Sequence, residues 1–184
     1  RVTQPYFVRH AIMPSYKESA QKSVALEVLA EILGTEIGPL HQHFVVSKRQ
    51  ASGVSVSYNG TVRGSALFSM AGVPTMHGCE KKLDADVRAY LKKLAQKKIK
   101  PKTVRAAKQR LLDSAIFARD RIMAPAQIIG ATLAVGMPLR AVEEWPAEVR
   151  RVTTAQVNKA LQELVTTPYQ VVGYLETEEK EGSQ

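Results

Sequence analysis

The residues best suited to chemistry in this sequence are its four histidines, His10, His41, His43 and His77. A zinc site needs three or four nitrogen, sulfur or oxygen ligands that converge on one point. His41 and His43 would point about 200° apart on a helix, and neither H-E-x-x-H nor H-x-x-E-H surrounds them. We therefore predict no metal ligand and no catalytic residue among the histidines.

The single cysteine, Cys79, follows His77 at a predicted helix N-terminus, where backbone N–H groups favour a negative charge. A cysteine–histidine nucleophile needs further groups around it, so an inert thiol is the favoured interpretation. No G-x-S-x-G, P-loop or dinucleotide motif is present. Asn59-Gly60-Thr61 fits the glycosylation sequon, which matters only in a eukaryotic secreted chain.

A basic stretch between residues 81 and 110 holds much of the net charge of +9. Its members are Lys81, Lys82, Arg88, Lys92, Lys93, Lys97, Lys98, Lys100, Lys102, Arg105, Lys108 and Arg110. These charges lie opposite a leucine stripe of helical spacing, which is typical of a solvated helix face. Interleaved aromatic residues would favour nucleic-acid binding, yet only Tyr90 interrupts the run. We predict no nucleic-acid partner and keep a basic nucleic-acid-binding module as an alternative.

The composition predicts one folded domain over residues 1–176 and a polar tail over 177–184. Apolar residues make up 45% and charged residues 23% of the 184, which is close to the globular average and excludes disorder, collagen and coiled coil as global descriptions. No apolar run approaches the ~20 residues of a membrane span. Because the sequence starts at Arg1 without an initiator Met, we expect it to be part of a longer polypeptide.

The elements that would position these residues begin with a strand and a long helix. Aromatic and β-branched residues predict a strand over 4–13. Ser15 and Glu18 have the spacing of a capping box, so the helix is expected to start at Ser15 and to end with Gly34 as its C-cap. Its apolar stripe consists of Ala25, Val28, Leu29, Ile32 and Leu33.

A β-hairpin is predicted next, after a short helix or irregular turn over 36–46. Valines alternate with serines over 54–58, as in a half-buried antiparallel strand. The turn at Asn59-Gly60 is either tight or extends to Gly64. The return strand is expected over 65–71, and a loop over 72–79 follows the hairpin.

Helices dominate the rest of the chain, up to a last strand over 169–175. The expected helices are about 80–98, 104–120, 121–135, 138–146 and 153–165. Pro101 is expected to end the first helix, and Thr103 to cap the second. Gly136 is expected to end the third helix, Trp145-Pro146 the fourth, and a Thr153–Gln156 capping box is expected to start the fifth. Strands separated by clustered helices predict an α+β fold, a two-layer structure in which helices cover one face of an antiparallel sheet.

Several segments, taken together and in order, resemble one family. They are ALEVLAEILG at 25–34, the hairpin at 53–71, AAKQRLLDSAIFARD at 106–120, GATLAVGMPLRAVEEWP at 130–146, VTTAQVNKAL at 152–161 and VVGYL at 171–175. In combination they are similar to one half of an insulinase/pitrilysin-type zinc metallopeptidase, or inverzincin, of the bacterial branch that resembles the mitochondrial processing peptidase. The resemblance covers nearly the whole chain and implies the fold of a LuxS/MPP-like metallohydrolase half.

The resemblance also implies which half this is. Such enzymes have two similar halves, and the amino-terminal half carries H-x-x-E-H on a helix and a later Glu, which together hold zinc and activate its water. The corresponding helix here, SYKESAQKSVALEVLAEILG, contains no histidine. The chain therefore resembles the carboxy-terminal, inactive half. The resemblance implies no cofactor in this domain, zinc in a catalytic partner half on the same or a separate chain, and a peptide substrate.

Substrate-binding residues stay unassigned. The inactive half in this family often presents an Arg and a Tyr near the substrate carbonyl, at positions that fall on 65–68 and 74–78. Those segments are SALF and PTMHG, which contain neither Arg nor Tyr. Arg63 lies slightly upstream, and the role is not transferred to it. An alternative is a structural subunit, like the peptidase-derived core proteins of respiratory complexes. Bacterial relatives imply a periplasmic or secreted location, with the cytoplasm as an alternative.

Overall fold

The structure, a computed structural model, describes residues 4–119 and 121–176 apart from the side chain of Arg119; the predicted tail 177–184 lies outside this range. The elements are β1 (Tyr6–Met13), α1 (Ala20–Gly34), α2 (Pro39–His41) with a π-helical turn (Gln42–Ser47), β2 (Ala51–Tyr58), β3 (Ala66–Pro74), α3 (Glu80–Lys97), α4 (Pro101–Arg119), α5 (Ala124–Ala134), α6 (Arg140–Arg151), α7 (Thr154–Thr166) and β4 (Gln170–Leu175). This order confirms the predicted α+β fold class.

The described strands form one antiparallel sheet in the order β2-β3-β1-β4, which leaves β2 and β4 at the edges. The register places His10 of β1 opposite Ser69 of β3 on one side and opposite Val171 of β4 on the other. Because side chains alternate along a strand, one face of the sheet carries buried residues and the other carries exposed ones. The buried face of β1 consists of Phe7, Arg9, Ala11 and Met13.

The core lies between that buried face and the helices. Helices α1 and α3 contact the sheet, α7 packs against both of them, and α4 and α6 pack against α1 from behind. The largest fully buried apolar side chains come from both layers: Phe7, Phe44, Phe68, Leu26, Leu29, Ile32, Leu33, Leu40, Leu91, Leu161 and Leu164. None of the helices in the described ranges combines the length and the apolarity that crossing a bilayer requires.

A buried ion pair joins the sheet to α3. The Arg9 guanidinium donates from Nε and Nη2 to the two Asp84 oxygens, at 2.7 and 2.6 Å. The Tyr174 hydroxyl donates to Asp84 Oδ2 at 2.8 Å, and Arg9 Nη1 donates to Gln170 Oε1 at 3.2 Å. Breaking such a pair leaves an uncompensated buried charge. The network therefore fixes α3 and β4 relative to β1.

The start and the end of α1 differ from the sequence prediction. Ser19 caps the helix by accepting from the Lys22 N–H at 3.4 Å. Ser15 and Glu18 do form the expected reciprocal hydrogen bonds, but within the turn that precedes the helix. Gly34 is the last helical residue and Thr35 is the C-cap. A Cβ at Gly34 would lie 2.8 Å from the Val56 carbonyl oxygen, so the glycine allows α1 to approach β2.

Proline positions account for two further corrections. Helix α4 begins at Pro101, whereas the sequence predicted a start at residue 104 with Thr103 as the cap. The first turn of a helix tolerates proline, because a backbone N–H at that position would have no partner within the helix. Pro146 lies inside α6, which was predicted to end there. Trp145 and Glu148 on either side of it bond to Glu27 and Tyr16, and these tertiary contacts hold the helix together across the proline.

The hairpin takes the wider of the two predicted forms, because β2 ends at Tyr58 and β3 begins only at Ala66. The return strand is also longer than predicted and runs to Pro74, where a loop was expected from residue 72. The capping box of α7 is confirmed: the Thr153 side chain accepts from the Gln156 N–H, and the Gln156 side chain accepts from the Thr153 N–H at 2.7 Å.

Candidate functional site on the open face of the sheet

The face of the sheet that points away from the core is the candidate site, and we call it the open face. Its large apolar side chains are solvent-exposed: Ile12 and Leu67 to 49% each, and Val171 to 66%. Ile12 and Leu67 lie directly opposite each other on β1 and β3. Exposed apolar side chains grouped on one face of a sheet make that face a candidate for binding or association.

One polar pair lies at the middle of the open face. His10 Nδ1 and Ser69 Oγ share a hydrogen bond of 2.8 Å between β1 and β3. Ser57 of β2 lies opposite Ser69 in the register. The apolar side chains and this pair together present a surface that can bury hydrophobic groups and also donate or accept hydrogen bonds.

A serine next to a histidine is also the pairing of nucleophile and base in acyl-transfer enzymes. Such a base must itself be oriented by a third group. Among residues 4–119 and 121–176, no carboxylate hydrogen-bonds to His10. The pair is thus suited to hydrogen bonding with a bound chain. Sequence analysis named His10 and missed Ser69, because only the strand register brings the two together.

The other histidines lie elsewhere. His41 ends α2, and His77 lies in the loop before α3. His43, on the π-helical turn, packs its ring against Tyr90, with ring centroids 4.5 Å apart. Partial burial, and then the nearby charges of Lys48 and Lys93, lower the pKa of His43. The structure therefore distributes the four histidines over separate elements.

These residues do not fit a zinc ion. Within the described part of the chain, no three His, Cys, Asp or Glu side chains come close enough together to hold a metal. Cys79 precedes α3 as expected and is half-buried, but its side chain makes no hydrogen bond that caps the helix. No step of metal chemistry can be assigned to these donors.

Segments 65–68 and 74–78, where the resemblance places an auxiliary Arg and Tyr, lie in different parts of the structure. Leu67, from segment 65–68, contributes to the open face, and Met76, from segment 74–78, is exposed in a loop. Arg63 donates from Nη2 to the Ala134 carbonyl oxygen at 2.8 Å. Its guanidinium thereby holds the C-terminus of α5 near the hairpin loop.

Two cations of the basic stretch, Lys108 and Arg110, form hydrogen bonds within the protein. Lys108 Nζ donates to the carbonyl oxygens of Arg150 and Val152, at 2.6 and 2.7 Å, where α6 ends. Arg110 donates to Glu31 at 2.6 Å. The remaining exposed cations on α3 and α4 give the helix layer its positive surface.

A comparison with models of protein families matches residues 2–111 to the peptidase M16 inactive domain. A comparison with curated proteins finds no sequence match. The family match covers more than half of the chain and includes β1, both hairpin strands, α1 to α3 and the first part of α4.

Solved structures share the fold at low sequence identity. The inactive peptidase domain of a proposed zinc protease from Bordetella parapertussis aligns with a TM-score of 0.86 and 19% identity, covering 100% of this chain and 96% of that one. A protease from Helicobacter pylori aligns with a TM-score of 0.83 and 17% identity, covering 96% of this chain but only 42% of its own length. A chain of complex III2 from Candida albicans aligns with a TM-score of 0.73 and 10% identity, covering 95% of this chain and 43% of that one.

Proposed function

This chain belongs to the family of peptidase M16 inactive domains, and on that premise we propose that it forms the non-catalytic wall of the substrate chamber in a two-part zinc peptidase. The catalytic part would be a second half, on the same or a separate polypeptide, that carries H-x-x-E-H. That half would supply zinc and the general base, and this chain would supply binding surface.

The observation that carries the proposal is the open face of the sheet. In a two-layer domain the outer face of an antiparallel sheet faces water and is commonly polar. Here Ile12 and Leu67 are about half exposed and Val171 is 66% exposed around the His10–Ser69 pair. A peptide held against this face would bury apolar side chains and bond to the polar pair. Closure of the two parts would exclude water from the bound chain.

The test compares two equally exposed leucines in the assembled enzyme. Leu67 lies on the open face with 49% exposure, and Leu133 lies on α5 with 52% exposure. The chain is combined with its H-x-x-E-H half, and cleavage of a quenched fluorescent peptide is measured. Leu67→Asp is expected to raise KM at least about fivefold, because a charge replaces apolar binding surface. Leu133→Asp, the control, should leave KM unchanged.

Two results would contradict the proposal. One is equal KM values for the two variants when circular dichroism shows both to be folded. The other is full peptidase activity of the H-x-x-E-H half without this chain.

A second candidate is a structural subunit without peptidase activity. The structural likeness to a chain of complex III2 favours considering it. The two candidates differ in the partner: a structural subunit would associate with a second half that also lacks H-x-x-E-H. Purifying the native assembly and sequencing its other half therefore decides between them.

A further inference from the structure

The outer edge of β4 has the properties of a strand-pairing site. In the described sheet β4 pairs with β1 on one side only. The Ile12 N–H donates to the Tyr169 carbonyl oxygen at 2.9 Å, which fixes the alternation of the ladder. In an antiparallel pair every second residue bonds to the partner strand. The backbone N–H and C=O groups of Val172 and Tyr174 consequently point away from β1, towards the free edge.

Edge strands are usually protected against pairing by charges, prolines or bulges. The opposite edge follows this rule, since β2 contains an irregularity between Ala51 and Gly53. The sequence of β4, QVVGYL, has neither a charged residue nor a proline, and its register with β1 is regular. Within residues 4–119 and 121–176, this edge is therefore left open to another strand.

A row of cations on α3 follows the same edge. Lys81 Nζ lies 5.9 Å from the centroid of the Tyr174 ring and 2.8 Å from Glu176 at one end of β4. Arg88 and Lys92 line a small cavity together with Gln170 at the other end. From Lys81 to Lys92 the helix rises about 16 Å, and β4 is about 17 Å long. The row thus spans the whole strand.

Hydrogen bonds of Asp84 fix the position of α3 relative to β4. Asp84, on α3 between the cations, accepts from Arg9 and from the Tyr174 hydroxyl. These bonds satisfy its charge internally, so Asp84 does not neutralise the row. They also hold β4 and α3 at a constant distance, as a pre-formed binding groove requires.

From the free edge and its row of cations we infer that β4 accepts an extended, acidic segment of another polypeptide as an additional strand. Main-chain hydrogen bonds to Val172 and Tyr174 would give affinity, and Arg88 and Lys92 would select acidic side chains at alternate positions; Lys81 is already paired with Glu176. This surface is distinct from the open face, so the inference stands or falls independently of the chamber-wall proposal.

The experiment uses two labelled peptides of about nine residues, in which valine alternates with glutamate in one and with lysine in the other. Binding to the full chain is measured by fluorescence anisotropy at low ionic strength. The glutamate peptide is expected to bind at least about tenfold more tightly than the lysine peptide, and its affinity should fall with added salt.

Two sets of variants assign the binding to this edge. Val172→Pro removes an outward N–H, which an edge strand tolerates, and should weaken binding about tenfold or more; Val172→Thr keeps the N–H and should bind like the parent. Independently, Arg88→Glu combined with Lys92→Glu should weaken binding of the glutamate peptide about tenfold. The matched control is Lys102→Glu with Arg105→Glu on α4, which should have little effect.

Four outcomes would overturn the inference: equal binding of the two peptides, unchanged binding by a folded Val172→Pro variant, equally tight binding of a single-stranded oligonucleotide, or binding that appears only after removal of residues 177–184. The third would indicate a general anion surface. The fourth would identify the acidic tail, TEEKEGSQ, as the natural occupant.

Discussion

At the scale of single residues, Glu27 is a carboxyl group whose pKa is raised strongly by folding. Its carboxylate lies between α1 and α6, where Trp145 Nε1 donates to it at 2.6 Å. Burial raises the pKa of Glu27 to about 7; the Trp145 hydrogen bond opposes this shift, and the charge of Glu148 adds to it. Tyr16 donates to Glu148 at 2.8 Å on the same interface. Ionised Glu27 thus weakens the contact between these helices.

Glu27 therefore predicts a pH dependence of stability. Its pKa is higher in the folded than in the unfolded chain, so its contribution is fully present below the unfolded value of 4.5 and is lost as the pH rises through about 7. A shift of this size corresponds to roughly 3 kcal/mol. Glu27→Gln keeps an acceptor for Trp145 without the charge, so it should raise the free energy of unfolding at pH 8 and flatten its dependence on pH.

Urea denaturation at pH 5 and pH 8 measures this effect. The control is Glu144→Gln, which removes the same charge from an exposed position of α6. If the two variants change the pH dependence equally, the loss of stability is due to overall charge and not to burial of Glu27.

At the scale of elements, two helical glycines have opposite environments. Gly34, at the end of α1, lies against β2, where an added Cβ would be 2.8 Å from the Val56 carbonyl oxygen and 3.3 Å from the Val56 Cβ. Gly130 lies in α5, and an added Cβ would meet nothing within 4 Å. Helix propensity favours alanine over glycine at both positions, so packing alone distinguishes them.

The same substitution should accordingly have opposite effects at the two glycines. Gly130→Ala is expected to stabilise the protein by about 0.5–1 kcal/mol, because alanine loses less backbone entropy. Gly34→Ala is expected to destabilise it by about 1–3 kcal/mol, because α1 must move away from β2. Chemical denaturation of both variants measures the difference. A stabilised Gly34→Ala variant would mean that the glycine serves only as a helix stop.

The elements that sequence alone predicted well are those determined by local pattern. The alternation of valine and serine in β2 and the capping box of α7 both describe neighbours in sequence. The start of α1 and the continuation of α6 through Pro146 were predicted wrongly, because distant contacts decide them: the Tyr16 N–H donates to Gly60 O, and Trp145 bonds to Glu27. Such contacts leave no signal in local spacing.

At the scale of the whole molecule, the sequence predicted the family but not which distant residues come together. The family match confirms the prediction that this is an inactive peptidase domain, which followed from several short segments in a fixed order. The Arg9–Asp84 pair and the His10–Ser69 pair each join residues more than 50 positions apart. Only the fold brings these partners together, so sequence analysis named one member of the second pair and neither member of the first.

The assignment of zinc to a separate half makes a prediction about metal removal. Since no metal-binding cluster is found in the described ranges, a chelator should leave the thermal unfolding of this chain unchanged, within about 1 °C. The same chelator should abolish peptide cleavage by the assembly with the H-x-x-E-H half. Elemental analysis after gel filtration supplies the decisive measurement. If the isolated chain held one zinc ion and lost it on His10→Ala or His43→Ala substitution, this chain would be the one that binds the metal. That result would refute the assignment of zinc to the H-x-x-E-H half.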